Sequence, residues 1–229
     1  MSRVRLYFKG LRNFEFPRNY DDMLSYIFVS KIKGFIKDNM DYKDFDFYTF
    51  SNFELNNVQS YDKSFVSQDG IVSVVVSSVD EDFLRDLVSF FVHVVLDLEG
   101  NLLSLFKFVF LDDVNRFYGE CNFICISPVF LKHFSVNGDM FSYLERSLVD
   151  RFCKYNNIRE IDCDYFCEIR THGDVFQRYM DYRFEEDNFR DFYYIFDCFI
   201  VGDDELIKFA YDAGLGDNTN NGFGMLDLY

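Results

Sequence analysis

The alternation of polar and apolar positions in Arg3-Val4-Arg5-Leu6-Tyr7-Phe8-Lys9 predicts a strand with one buried face. From Asn19 the period lengthens. Met23, Ile27, Ile32, Phe35 and Ile36 recur at helical spacing behind Asn19-Tyr20-Asp21-Asp22, whose acids suit a first turn, so a helix is expected to end near Lys37. Residues 45–53 contain a predicted strand. Ser64-Phe65-Val66 and the apolar run 71–76 flank Gln68-Asp69-Gly70, a signal for a hairpin with an Asp-Gly turn. A helix is then expected from Asp80, with Phe83, Leu84, Leu87, Phe90 and Phe91 on one face, and a strand over 102–111 closes the first half.

The second half repeats this order. Strands are expected over 122–127, 163–170, 193–200 and 222–228. Helices are expected over 139–155, where Met140, Tyr143, Leu144, Leu148 and Phe152 are spaced i, i+3, i+4, and over 203–213. Twice over, the order is β-α-β-β-α-β. The predicted fold class is therefore α+β, two tandem ferredoxin-like (RRM-like) domains over 1–114 and 115–229, with the boundary near 112–116.

Composition and charge narrow the function. The 229 residues are 49% hydrophobic, with 31 Phe, 16 Tyr and no Trp, which excludes a disordered or low-complexity chain. A net charge of −16 argues against indiscriminate coating of nucleic acid. Its distribution is uneven: residues 1–37 hold eight Arg or Lys against Glu15, Asp21 and Asp22, a surplus of five positive charges that leaves −21 for the rest. That asymmetry suits a local RNA path past Arg3, Arg5, Arg18 and Lys31, although the same charges are also explained as complements to the acidic remainder. Aromatic residues occur throughout, so the sequence singles out no base-stacking stripe.

The N-terminus lacks the continuous apolar run of an export signal, and the apolar stretch 87–98 is broken by Ser89, His93 and Asp97. A soluble cytoplasmic protein without membrane contact is expected, as a monomer or homodimer. Cys121, Cys125, Cys153, Cys163, Cys167 and Cys198 do not show the C-x2-C spacing of common zinc sites and are expected to be reduced core thiols. No acid or histidine cluster calls for a metal, and no cofactor is expected. His93 interrupts an apolar run and reads as a packed or helix-end residue; His133, five residues beyond Pro128, and His172, in a loop before Gly173, could approach RNA, but their spacing builds no pair of nucleophile and base. Acidic runs such as Asp41-Tyr42-Lys43-Asp44 read as solvated edges or protein-contact faces.

The sharpest local signal is Gly214-Leu215-Gly216-Asp217-Asn218-Thr219-Asn220-Asn221-Gly222-Phe223-Gly224. Such a loop offers backbone N–H groups to a phosphate, or else caps a helix and packs closely. It is neither a Walker loop nor a dinucleotide fingerprint. Written GLGDNTNNGFGMLDL after the helix ELIKFAYDA, it resembles the closing motif of the CRISPR-associated repeat-processing endoribonucleases of the RAMP superfamily. NYDDMLSYIFVSKIKGFIKD resembles that family's first helix, FDFYTFSNFEL its next strand, CNFICISPVF the strand ending in Ser-Pro and FSYLERSLVDRFCKYNN the helix after it.

The resemblance implies two ferredoxin-like folds that bind the repeat of a CRISPR precursor transcript and cut it once per repeat without a metal, as part of antiviral defence. The 2′-hydroxyl would attack the adjacent phosphorus and leave a 2′,3′-cyclic phosphate. This needs a base, a cation at the phosphorane oxygens and an acid for the leaving oxygen. Many members use a histidine near the end of helix one. Here that helix has none, and Lys37 falls near the position, with Tyr26, Lys31 and Lys33 as further candidates. Lysine donates protons and stabilises charge, but with a reference pKa of about 10.4 it must lose a proton before acting as a base. Gly214, Gly216, Gly222 and Gly224 are the implied RNA-contacting loop. The alternative is a member or mimic without the chemistry, which binds repeat RNA or docks onto CRISPR effector subunits.

Overall fold

The computed structural model describes residues 1–114, 116–132, 139–159, 164–184 and 187–229; His133 and Cys163 lie outside them. Two compact units divide the chain. The first comprises 1–46 and 50–113, the second 47–49 and 114–229. In chain order the first half contains β1 (Arg3–Lys9), β2 (Phe14–Pro17), α1 (Tyr20–Asp38), β3 (Tyr48–Phe50), β4 (Glu54–Leu55), β5 (Val58–Ser60), β6 (Ser64–Ser67), β7 (Ile71–Ser78), α2 (Glu81–Phe91), β8 (Val95–Leu98) and β9 (Asn101–Phe110). The second contains β10 (Glu120–Cys125), β11 (Val129–Phe130), α3 (Met140–Tyr155), β12 (Cys167–Thr171), β13 (Phe176–Phe184), β14 (Asp187–Ile195), β15 (Asp197–Gly202), α4 (Asp204–Ala213) and β16 (Leu226–Leu228).

In the first unit β1 lies antiparallel between β7 and β9, with β8 beyond β9 and β4 on β7. Register places Val4, Leu6 and Phe8 opposite Val76, Val74 and Val72, and all six side chains are buried on one face. Both helices cover that face. Phe28 of α1 stacks on Phe91 of α2 with ring centroids 4.8 Å apart, and Phe8 meets both edge-on. A fully buried phenylalanine contributes roughly 2–3 kcal/mol, so this cluster anchors the helices more firmly than their propensities do.

The buried stripe of α1 is Leu24, Phe28, Val29, Ile32 and Phe35, rotated from the expected one; Met23, Ile27 and Ile36 are only partly covered. The aromatic cluster around Phe28 sets that rotation. Asp80, where the helix is expected to begin, caps α2 by accepting from the N–H groups of Asp82 and Phe83. Two first-turn residues of α1 grip one strand connection: Asp21 Oδ1 accepts from Phe53 N at 2.6 Å, and Tyr20 donates its hydroxyl proton to the Phe53 carbonyl at 3.0 Å. Burial pushes the Asp21 carboxyl up to about 6.

The expected Asp-Gly hairpin is not a ladder. β6 joins β2 and β5 in a separate three-stranded sheet, while β7 joins β1. Asp69 holds this change of sheet by accepting from Ile71 N and from the side chains of Ser67, Asn56 and Asn57, and Gly70 supplies a φ of +69°.

The second unit's main sheet runs β12-β15-β10-β16, all antiparallel. With α3 and α4 it has the ferredoxin-like order β10-α3-β12-β15-α4-β16. A hairpin, β13–β14, extended by β11, is inserted before β15 as a separate three-stranded sheet. The expected single strand over 193–200 is therefore two strands that change sheets at buried Phe196. The closing strand shrinks to β16 because positive φ at Gly222 and Gly224 and a turn at Thr219–Asn221 prevent pairing upstream. Cys121, Cys125, Cys167 and Cys198 are free thiols, whereas Cys153 is disulfide-bonded, which corrects the expectation that all six are reduced. Among the described residues no helix is long and apolar enough to cross a membrane.

Candidate nucleic-acid interface

Helix geometry decides which basic residues of α1 act together. At about 100° per residue, Tyr26, Lys33 and Lys37 fall on one side of the helix, and all three are exposed. Lys31 lies well round from them. Lys33 and Lys37 are one turn apart, close enough for both ammonium groups to reach one phosphate. Tyr26, 43% exposed, is about 10 Å further along at 1.5 Å per residue. The face thus offers two adjacent cations and a more distant phenol. It contains no imidazole.

The N-terminal arginines have different fates. Arg3 is 3% exposed; its backbone pairs with Ser77 in the ladder to β7, and its carbonyl accepts from Leu111 N. Burial removes it from any surface path. Arg18 lies with its guanidinium carbon 4.4 Å from the Phe65 ring centre and donates to the carbonyls of Tyr61 and Asp62, so it fastens the chain beyond β5. Arg5 is half-exposed, with Nη1 3.7 Å from Glu54 Oε2.

The glycine loop is closed on its own backbone. Leu215 N donates to the Gly224 carbonyl at 2.8 Å, Gly224 N to Pro128 at 2.7 Å, Gly222 N to Thr219 at 2.9 Å and Asp217 N to Phe130 at 2.8 Å. Gly214, Gly216 and Gly224 are buried, with φ between +70° and +83°. Of the two sequence readings, these contacts are those of a close-packed turn: the N–H groups of Gly222 and Gly224 that a phosphate would need already have partners.

Instead, the loop turns its carbonyls toward a cation that the sequence reading missed. Arg151 Nη1 donates to Gly214 O and Gly216 O at 2.9 and 3.2 Å, and Nη2 to Ala213 O and Thr219 Oγ1 at 2.9 and 2.8 Å. One and two turns earlier on α3, Ser147 and Tyr143 donate to the carboxylate of Asp217 at 3.3 and 2.7 Å. Burial and the Asp217 carboxylate raise the Tyr143 phenol. The signal in the sequence was the polar stripe Tyr143, Ser147, Arg151 at i, i+4, i+8 on a helix otherwise read for its apolar face.

His93 is exposed in the turn after α2, and its N–H bonds Phe90 O at 3.0 Å. His172 is exposed, with Nε2 2.5 Å from Asn122 Oδ1 and its ring against Phe199. Neither sits beside a paired nucleophile. Among the described residues no group of three His, Cys, Asp or Glu could hold a metal ion.

Residues 113–228 match the family model described as CRISPR associated protein Cas6, C-terminal. Among solved structures, one described as CRISPR associated protein Cas6 shares 20% identity over 100% of this chain and 99% of that chain, with a TM-score of 0.83. A Cas6-related gene product from Pyrococcus furiosus shares 17% over 100% and 98%, at 0.75. An RAMP protein binding different RNA substrates shares 18% over 100% of both chains, at 0.72. At these identities the likeness is one of fold, the tandem ferredoxin-like arrangement. No curated protein sequence matches the chain.

Proposed function

The chain belongs to the CRISPR-associated Cas6 family, and from that membership we propose that it binds CRISPR repeat RNA and cuts the precursor transcript within each repeat without a metal. One observation carries the assignment of the site: Lys33 and Lys37 lie one turn apart on an exposed face of α1, in the most basic segment of an acidic chain. In the proposed step the 2′-hydroxyl gives its proton to solvent water as its oxygen attacks the neighbouring phosphorus, the P–O2′ bond forms and the P–O5′ bond breaks. The products are a 2′,3′-cyclic phosphate and a 5′-hydroxyl. Two ammonium groups at the phosphorane oxygens stabilise charge that develops only in the transition state, and either can protonate the departing 5′-oxygen. Tyr26 is assigned to the adjoining nucleotide, because about 10 Å along the helix separates it from Lys33.

The absence of a histidine from α1 favours a second reading, a member that holds repeat RNA without cutting it. Lys33→Ala and Lys37→Ala separate the two. If α1 carries the chemistry, either variant slows single-turnover cutting of repeat RNA by about 10²-fold or more, the range for losing a charge stabiliser, with RNA affinity changed much less. A wild-type protein that binds the repeat tightly and leaves it whole supports the second reading.

A further inference from the structure

We propose that Tyr7 and Phe106, framed by Lys9 and Lys107, form a stacking platform for unpaired bases of single-stranded RNA on the face of β1 and β9 that the helices leave uncovered. The proposal rests on the reading of the chain as an RNA-binding protein and names a site that family membership does not assign.

Alternation along β1 puts Val4, Leu6 and Phe8 in the core and Arg5, Tyr7 and Lys9 on the opposite face. Tyr7 pairs with Lys107 and Phe8 with Leu105, so Phe106 is the extra residue of a β-bulge. A bulge re-aims the side chains around it. Here it brings two successive residues to the same ring: Lys107 Nζ lies 5.1 Å from the Tyr7 ring centre, and the Phe106 ring meets Tyr7 edge-on at 6.4 Å. Lys9 Nζ lies 5.7 Å from the Phe106 ring centre.

Phe106 is 48% exposed, an aromatic ring held in place by its neighbours with half its surface in water. Flat rings flanked by cations match the chemistry of single-stranded nucleic acid, whose bases stack and whose phosphates seek positive charge. Lys9 and Lys107 are exposed, whereas Arg5 beside them already faces Glu54 at 3.7 Å. In a chain of net charge −16, such a spot favours a polyanion locally while the acidic remainder repels it elsewhere.

The chain has no tryptophan, so Phe106→Trp installs a single reporter at the platform. Titrating it with an oligouridylate, an abasic oligomer of equal length and an RNA duplex should give quenching with the oligouridylate alone. In parallel, Phe106→Leu keeps the apolar bulk without the ring and should bind the oligouridylate about tenfold more weakly, the scale of one lost base stack. Lys107→Gln should reduce the salt dependence of log K by about 0.7, one phosphate of a single strand. Wild-type affinity in folded Phe106→Leu, with repeat RNA still bound, overturns the platform alone. Failure of the wild-type protein to bind any repeat RNA overturns the RNA-binding reading and the platform with it. Equal quenching by the abasic oligomer shows that phosphates, not bases, occupy the site and also overturns it.

Discussion

The Arg151 guanidinium lies 2.9 Å from the Gly214 carbonyl and 2.8 Å from Thr219 Oγ1, so a single side chain of α3 spans the glycine loop from its first glycine to its turn. Five donors in a rigid plane suit this role. Removing them leaves several carbonyls without a partner. Arg151→Ala is expected to destabilise the protein by about 2–3 kcal/mol, read as a lower midpoint in urea. Arg151→Lys should recover only part of this, because a point charge on a flexible stem cannot replace a planar fork. Full recovery by lysine would show that charge alone matters there.

Two glycines with nearly the same backbone angle give a sharper contrast. A Cβ on Gly224, at φ +70°, would lie 1.8 Å from the Leu215 carbonyl oxygen, whereas one on Gly100, at φ +86°, would meet nothing within 4 Å. Gly100→Ala is expected to cost about 1–2 kcal/mol, the left-handed strain alone. Gly224→Ala adds a backbone clash and is expected to prevent the loop from closing, with loss of cooperative unfolding or of soluble protein. Equal midpoints for the two variants would contradict the close packing described for the loop.

Asp21 predicts a pH dependence of stability. Burial raises its carboxyl from 3.8 to about 6, despite the opposing bond from Phe53 N. The folded protein therefore holds this proton more tightly than the unfolded chain. The resulting stabilisation is complete below the unfolded value, declines as pH rises from about 4 to about 6, and is absent above that. Asp21→Asn keeps an acceptor for Phe53 N and carries no charge. It should flatten the decline and leave the variant more stable at pH 7 by up to about 3 kcal/mol. Denaturation midpoints at pH 5 and pH 7 for both proteins check this; parallel slopes would contradict it.

Both pairs of helices were legible because their apolar periods are long and their starts are marked, as with Asp80 before α2. The ferredoxin-like order followed from those helices and from strands such as β1 and β7. Features that depend on distant partners were not legible. The bulge at Phe106 exists only in its pairing with β1, nearly a hundred residues away, so an aromatic-rich sequence could not single it out. Arg3 alternates with Arg5 and reads as exposed, yet it is 3% exposed, which the alternation of β1 alone does not predict. Conversely, the common face of Tyr26, Lys33 and Lys37 follows from helix arithmetic alone.

Cutting of the chain's own CRISPR repeat RNA in EDTA, with a matched substrate carrying a 2′-deoxy at the scissile nucleotide, tests the central claim most directly. A single cut that leaves a 2′,3′-cyclic phosphate and is abolished by the 2′-deoxy substitution is the predicted result. An RNA that is bound but uncut, a cut that needs a divalent metal, or a cut unaffected by the missing 2′-hydroxyl would contradict it.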